Sequence, residues 1–165
     1  LQENFVFTKG EFERSGRYIH KRQVPEQNLS RSYLRAEVLE NGELVVVSQL
    51  VGGSRVQHTR VRVYDGDVEA RTDSVPAGSA DQFSGGFLGA GWERVTFRNG
   101  KENGVTEFIA AHAAQKLKAA FLGKGSYLIF LEESDKKAFV EASNLSRAII
   151  QRNNFQKEIA GLQIR

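Results

Sequence analysis

Histidine is the first residue type to test for chemistry, because its imidazole can act as a general base or a metal ligand near neutral pH. The chain has three, His20, His58 and His112, and none has acidic or histidine neighbours at the spacing of an HExxH metal motif. We therefore predict no metal site and no cofactor. His112 falls on the apolar face of a predicted helix, where we favour a hydrogen-bonded core side chain over a general base. His58 is predicted to be a surface residue of a strand.

Two short segments have some features of nucleotide-binding motifs. Residues 65–67 (Asp-Gly-Asp) match the Asp-x-Asp of some glycosyltransferases, but Asp-Gly is also a common hairpin turn, and the chain is too short for the βαβ unit such enzymes need. Residues 84–91 are rich in glycine, yet they lack the spacing of a phosphate-binding loop and precede a strand. This flexible segment presents Phe87 and Leu88, which are candidate contacts for a ligand or partner, although folding back over the core is the favoured alternative.

Arginines make the most testable functional feature of the sequence. Alternation along two predicted strands places Arg60 and Arg62 on one outer side, and Arg94 and Arg98 on another. Together these guanidinium groups would suit an anionic polymer or a lipid headgroup. Arg62 is expected to pair with Glu69 across a hairpin, which leaves Arg60 unpaired. Because no stacking aromatics are interleaved among these arginines, we favour a solvated sheet face over a binding face.

Composition narrows the class of protein. The chain has 165 residues, 40% apolar and 26% charged, as expected of one ordinary globular domain. A net charge of +3 is too small to indicate a nucleic-acid-binding protein by itself. The absence of cysteine excludes disulfides, zinc thiolate sites, iron–sulfur clusters and thiol catalysis. No apolar run approaches the roughly 20 residues of a membrane helix, so no transmembrane segment is predicted.

Three short glycine-containing segments predict hairpin turns, because glycine readily takes the positive φ that such turns require. The turns are at residues 41–42, 65–66 and 123–125. A two-residue loop at the first would place Leu39 opposite Leu44. The strands joined by these turns, with one strand after the glycine-rich loop, are residues 34–40, 43–51, 55–64, 67–72, 92–98, 117–122 and 126–131. The apolar run in the last of them predicts a buried strand instead of an edge.

Helical spacing of apolar residues predicts two helices, one over residues 105–115 and one that begins at Ser134 or Asp135. The buried stripe of the second would be Phe139, Ala142, Leu145, Ser146 and Ile149. The order of elements predicts an α+β fold with a largely antiparallel sheet or a small β-sandwich, a short helix and a C-terminal helix. Residues 1–31 are interpreted as a basic extended lead-in, 32–153 as a single α+β domain, and 154–165 as a C-terminal tail or helix extension.

Three stretches carry a resemblance to a known group of proteins. They are residues 61–66 (VRVYDG), 92–97 (WERVTF) and 116–124 (KLKAAFLGK), followed by a strand and a helix start at 134–138. In this arrangement the chain resembles small bacterial envelope domains of unknown function, many of them lipoproteins. The resemblance covers about residues 55 to 150 and implies an exported α+β domain. It transfers no catalytic residue.

We therefore expect a non-enzymatic binding or structural domain of the bacterial cell envelope, periplasmic or lipid-anchored, whose partner is an unidentified protein or ligand. The alternatives are a polyanion-binding module with a basic sheet face, and a small hydrolase-like enzyme with His112 or Glu93 as acid or base. The chain begins at Leu1 and lacks methionine. This agrees with a cleaved signal peptide and equally with an experimentally chosen boundary, so a cytoplasmic location stays open. A nucleic-acid partner is disfavoured.

Overall fold

Two antiparallel sheets and two α-helices form the part of the chain that the computed structural model describes, which is residues 2–23, 31–52, 56–87 and 90–164. The strands are β1 (Phe5–Thr8), β2 (Arg17–His20), β3 (Tyr33–Leu39), β4 (Leu44–Val51), β5 (Arg60–Asp65), β6 (Val68–Arg71), β7 (Gln82–Phe87), β8 (Ala90–Phe97), β9 (Lys118–Leu122) and β10 (Ser126–Phe130). The helices are α1 (Val105–Ala111) and α2 (Glu133–Ile164).

The strands divide into a six-stranded sheet and a four-stranded sheet. Their orders are β1-β2-β3-β4-β8-β7 and β10-β9-β5-β6, and every neighbouring pair is antiparallel. The C-terminal helix α2 packs against the six-stranded sheet at β3. This confirms the predicted α+β fold class with antiparallel sheets and a C-terminal helix.

One apolar core joins the inner faces of both sheets to both helices. Its fully buried members include Leu34, Val46, Val61, Val95, Phe97, Ile109, Phe121 and Phe139. Each such side chain contributes about 1.5 to 3 kcal/mol when it is removed from water. All five residues of the predicted α2 stripe are buried, which confirms that prediction.

The first hairpin has a different register from the predicted one. Val38 pairs with Leu44, and the amide of Leu39 donates to the carbonyl of Glu43 at 2.8 Å, so the loop has three residues. A two-residue type I′ turn needs positive φ at two residues, and here only Gly42 (φ 91°) has it. A type I turn followed by a left-handed glycine gives the longer loop. The predicted pairing of Leu39 with Leu44 is therefore wrong by one residue.

The second hairpin is also shifted. Asp65 pairs with Val68, so the loop residues are Gly66 and Asp67, and Arg62 stands opposite Arg71 instead of Glu69. Gly66 has φ 60° and is the loop residue with positive φ, which fits the first central position of a type II′ turn. The sequence correctly indicates Gly66 as a turn residue. The predicted loop of residues 65–66 makes it the second loop residue, whereas in the structure it is the first.

Three terminal or edge elements differ from expectation. Residues 1–31 contain the paired strands β1 and β2, whose Phe5 and Ile19 are buried, so this part is more than an extended lead-in. Strand β10 was predicted to be buried, but it is an edge strand with Leu128 46% exposed. Helix α2 continues through residues 154–164 as an exposed extension. The domain limits at 31 and 153 stay predictions.

Candidate functional site

The outward side of the four-stranded sheet is the strongest candidate for a binding site. Successive residues of a strand point to opposite sides, so Val61, Val63 and Phe121 face the core and the residues between them face outward. The outward side chains are Arg60, Arg62, Tyr64, Glu69, Arg71, Lys118, Ala120, Leu122, Ser126, Leu128 and Phe130, and none of them is buried. We call this surface the basic aromatic face.

Two aromatic rings on this face hold cationic groups. Tyr64 pairs across the sheet with Lys118, which pairs in turn with Phe130. The ammonium nitrogen of Lys118 lies 5.9 Å from the Tyr64 ring centre and 5.6 Å from the Phe130 ring centre. The guanidinium carbon of Arg62 lies 4.1 Å from the Tyr64 ring centre. These are cation–π distances, so the rings help to order the two cations.

The charge of the basic aromatic face is strongly positive. Arg62 and Arg71 stand directly opposite each other, which by itself is repulsive. Glu69 relieves this, because its carboxylate pairs with Nε of Arg62 and lies 3.1 Å from Nε of Arg71. The hydrogen bond from Arg62 holds the pKa of Glu69 below its ordinary value. Among the described residues, no carboxylate forms an ion pair with Arg60 or Lys118.

The structure does not bring the predicted ligand-binding residues together. Arg60 belongs to the basic aromatic face, whereas Arg94 lies on the outer side of the six-stranded sheet and Arg98 directly follows its strand β8. Arg94 donates to Oε1 of Gln49 at 2.7 Å, and Arg98 forms an ion pair with Asp81 at 2.8 Å. Their grouping on one face is therefore wrong, because the two strands belong to different sheets. The other two predicted contacts, the side chain of Phe87 and the whole of Leu88, lie outside the described residues.

Sequence reasoning missed the aromatic part of this face. Tyr64 has the same parity as Arg60 and Arg62 along β5, so alternation alone would have placed it beside them. Lys118 and Phe130 join the face only because β9 pairs with β5 and β10 pairs with β9. That pairing connects distant parts of the chain and has no local sequence signal.

A second cluster has the order of a catalytic triad. Oγ of Ser48 lies 2.7 Å from Nε2 of His58, and Nδ1 of His58 lies 2.8 Å from Oε1 of Glu93. Nucleophile, base and orienting carboxylate are connected in this way in serine hydrolases. Ser48 and His58 are both 0% exposed, however, so a substrate cannot reach the hydroxyl. The prediction of His58 as a surface residue is wrong, because residues 56–59 turn it into the core before β5 begins.

Glu93 acts as a structural anchor for the segment before β5. Its carboxylate accepts the backbone N–H groups of Gln57 and His58, each at 2.8 Å, as well as the His58 ring N–H. Burial by itself raises the pKa of Glu93, but these hydrogen bonds from His58 and Gln57 outweigh it and hold the pKa below the ordinary value. The backbone of Gln57 has φ 51°, a conformation that costs free energy in a residue other than glycine. The two backbone hydrogen bonds to the Glu93 carboxylate stabilise it. Glu93 is thus engaged in structure and has no free oxygen for acid–base work.

His112 is also engaged locally. Its Nδ1 lies 2.8 Å from the carbonyl oxygen of Phe108, and its ring centre lies 4.3 Å from the Phe108 ring centre. It stands at the C-terminal end of α1, where its backbone N–H also bonds to the last turn. These contacts give His112 a structural role at the end of helix α1.

No protein-family model matches this chain, and no curated protein or solved structure is similar to it. Within the described ranges, no helix combines the length and hydrophobicity needed to cross a membrane. The same ranges hold no group of three or more His, Asp or Glu side chains placed to bind a metal ion. The function is therefore inferred from the geometry and chemistry of the basic aromatic face.

Proposed function

We propose that this chain is a non-enzymatic binding domain of the bacterial cell envelope, and that it holds an acidic polysaccharide on the basic aromatic face. The observation that carries the proposal is a set of four solvent-accessible cations, Arg60, Arg62, Arg71 and Lys118, of which Arg62 and Lys118 lie against the aromatic rings. Among the outward side chains of this face, Glu69 is the one carboxylate that offsets them.

The dimensions of the face suit a chain better than a single ion. Neighbouring strands lie about 4.8 Å apart and alternate residues about 6.8 Å apart, so the three strands β9, β5 and β6 present cations over a width of about 10 Å. An extended anionic chain crossing the strands can meet several of them at once. Because Arg62 and Lys118 are held against rings, they lose less conformational freedom on binding than free side chains would.

The side-chain types favour sugar carboxylates over nucleic-acid bases. Guanidinium groups match carboxylates with two parallel hydrogen bonds. Phe130 is 59% exposed and offers a ring face to the C–H groups of a sugar. The ring of Tyr64 is covered by Arg62, so a base that stacked on it would have to displace the guanidinium group.

Binding to a purified oligogalacturonate, measured by titration calorimetry at two salt concentrations, tests the ligand class. The variant Arg62→Gln/Lys118→Gln should bind at least about tenfold more weakly. Its salt dependence should also be less steep, by about one per cation removed. Lys137→Gln and Arg147→Gln on the exposed side of α2 are matched controls with the same charge change. Equal loss in the controls, no binding by the wild-type chain, or tighter binding of oligothymidylate would contradict the proposal.

The envelope location rests on the sequence resemblance and needs its own test. Cells that carry the native full-length protein without a tag are fractionated, and the intact mass of its N-terminus is measured. A processed or lipid-bearing N-terminus in the envelope fraction supports the proposal. An unprocessed protein in the cytoplasm would contradict the location and would make a nucleic-acid ligand the next one to examine.

A further inference from the structure

Strand β10 leaves one edge of the four-stranded sheet open. It pairs with β9 on one side, and among the described residues no strand pairs with its other side. All five of its side chains are uncharged. Tyr127 is 40% exposed, Leu128 46% and Phe130 59%. An uncharged edge strand with exposed apolar side chains is suited to pairing with a further strand.

The opposite edge of the same sheet has a different character. Strand β6 ends the sheet on that side, and two of its four residues, Glu69 and Arg71, are charged. Charged side chains on an edge strand oppose the docking of a second strand, because docking would remove part of their hydration. Of the two edges of this sheet, β10 is therefore the one suited to association.

The backbone of β10 presents hydrogen-bonding groups to the open edge at every second residue. The amide of Leu131 donates to the carbonyl of Leu117 at 2.9 Å, so residue 131 and, by alternation, residues 129 and 127 direct their backbone groups to β9. Ser126, Leu128 and Phe130 consequently direct their N–H and C=O groups away from β9. These groups can pair with another strand without disturbing the sheet.

A second copy of β10 can satisfy all of these groups at once. When it runs antiparallel with Leu128 opposite Leu128 of the other copy, Ser126 of each copy stands opposite Phe130 of the other. All three residues of each copy then belong to hydrogen-bonded pairs. A shift of two residues in either direction would leave the groups of one of them in each copy outside the paired strands. The backbone therefore selects the register centred on Leu128.

Charges at the ends of the strand agree with the same register. Lys124 lies four residues before Leu128 and Glu132 four residues after it, so each Lys124 comes opposite Glu132 of the other copy. Both residues are exposed. Glu132 also forms an ion pair with Arg31 at 3.1 Å, but its side chain remains 60% exposed. Opposite charges thus meet at both ends of the paired strands, where they favour this register.

The side chains on the two sides of β10 also suit this pairing. Leu128 would contact its own copy on the outward side, and on the inner side Tyr127 would stand opposite Ile129, an aromatic and β-branched pair of a favourable kind. Because Tyr127 and Leu128 are exposed on opposite sides of the strand, the body of the protein covers neither side of this edge completely.

We propose that two copies of this chain associate through β10, which joins their four-stranded sheets into one continuous antiparallel sheet with two-fold symmetry. The apolar run of β10, which is typical of a buried strand, then lies at the centre of a sheet. Opposed residues of antiparallel strands point to the same side, so the basic aromatic faces of both copies share one surface. The association does not depend on the proposed polysaccharide function; a longer polyanion site formed by both faces does.

Sedimentation equilibrium over a range of chain concentrations tests the association. We expect the wild-type chain to form dimers reversibly. Leu128→Lys places two ammonium groups opposite each other at the two-fold axis and should raise the dimer Kd at least about tenfold. Val68→Lys, the same kind of change on the opposite edge strand β6, is the matched control and should leave the Kd unchanged. Circular dichroism verifies that each variant is folded.

Cross-linking tests the register, and the absence of cysteine from the chain makes an introduced thiol unique. In the proposed dimer the two Cα atoms of residue 128 lie about 5.5 Å apart, within the range of a disulfide. Those of residue 126 lie about 14 Å apart, because four residues along the strand separate them. Leu128→Cys should form a disulfide-linked dimer under mild oxidation, whereas Ser126→Cys should stay monomeric on a denaturing gel.

Charge reversal gives an independent test. Lys124→Glu places two carboxylates together at each end and should weaken the dimer, and Lys124→Glu/Glu132→Lys should restore it. Lys137→Glu, on the exposed side of α2, controls for the change in net charge. Arg62→Gln/Lys118→Gln should keep the dimer even if it loses polysaccharide binding, which separates this inference from the proposed function.

Three results would overturn the inference. The first is a wild-type chain that stays monomeric at every concentration. The second is an equally strong dimer in Leu128→Lys, which would place the interface elsewhere. The third is equal cross-linking of the two cysteine variants, or no recovery in the charge-reversed double variant, either of which would contradict the register.

Discussion

The two sheets turn arginines outward in very different surroundings. On the six-stranded sheet, Arg35 and Glu37 are buried and hydrogen-bonded to each other. On the four-stranded sheet, Arg62 and Glu69 also pair, but both remain partly exposed to solvent. The same residue types therefore serve structure on one sheet and are available to a ligand on the other. Burial, more than residue type, decides which role an arginine has.

The difference has an energetic basis. An exposed ion pair gains little, because water solvates both charges well and salt screens them. A buried pair has already lost that solvation, so removal of one partner leaves an uncompensated charge in a poorly solvated place. Equivalent substitutions on the two sheets should therefore have unequal effects on stability, and the Glu37, Ser48 and Arg62/Lys118 experiments below compare them.

The largest effect is expected at Glu37. Glu37→Gln leaves Arg35 without a carboxylate and Arg17 with only Glu13, and we expect a loss of about 3 to 5 kcal/mol in the free energy of unfolding. Urea denaturation followed by circular dichroism measures it. Glu69→Gln, the matched change on the exposed sheet, should shift the midpoint very little. Similar losses in the two variants would show that burial does not separate the two faces.

Glu93 should have the next largest effect. Its pKa is lowered in the folded chain from an ordinary value of 4.5, so it contributes stability above that pH. The contribution is lost as pH falls through the lower, folded-state pKa. Glu93→Gln should cost about 2 kcal/mol at neutral pH, because the N–H groups of Gln57 and His58 lose a charged acceptor.

The pH dependence of that loss is the sharper test of Glu93. The difference in unfolding free energy between the wild-type chain and Glu93→Gln should shrink steadily as the pH is lowered below 4.5. Denaturation series at several acidic pH values would reveal it. If this free-energy difference stayed constant at all acidic pH values, the negative charge of Glu93 would not contribute to the stability of the folded chain.

Ser48 tests whether the triad-like cluster is structural. Ser48→Ala removes the partner of His58 Nε2 in the core, and we expect a loss of about 1 kcal/mol. Ser126→Ala on the exposed sheet is the matched control and should be neutral. Labelling of the wild-type chain by a fluorophosphonate at Ser48 would contradict the structural role, since it requires an accessible and activated hydroxyl.

Much of the fold follows from local sequence patterns. The α2 stripe was predictable because helical spacing selects one face, and Phe139, Leu145 and Ile149 are all buried. The hairpins were predictable from their glycines, but their registers were not. Register depends on which loop residue takes positive φ, and at Gly42 and Gly66 a dipeptide rule does not distinguish the alternatives.

The remaining differences have a topological origin. The apolar run of β10 resembles a buried strand, and only the strand order makes it an edge. The same holds for the candidate site: alternation identified Arg60 as outward-facing, but no local pattern connects it with Lys118 or Phe130. Ser48, His58 and Glu93 likewise come from three separate segments. Contacts between distant segments set each of these groupings, so a single sequence could not reveal them.

The smallest effect on stability, and the most informative for function, is expected on the basic aromatic face. The double variant Arg62→Gln/Lys118→Gln removes two cations whose contacts with Tyr64 lie on the solvent-facing side of the sheet. Because such contacts contribute little to stability, the free energy of unfolding measured by urea denaturation should change by less than about 1 kcal/mol. The same variant should lose polysaccharide binding. Stability kept while binding is lost would mean that these cations are retained for a ligand. A large destabilisation would instead show that they hold the sheet together, as Arg35 and Glu37 do on the other one.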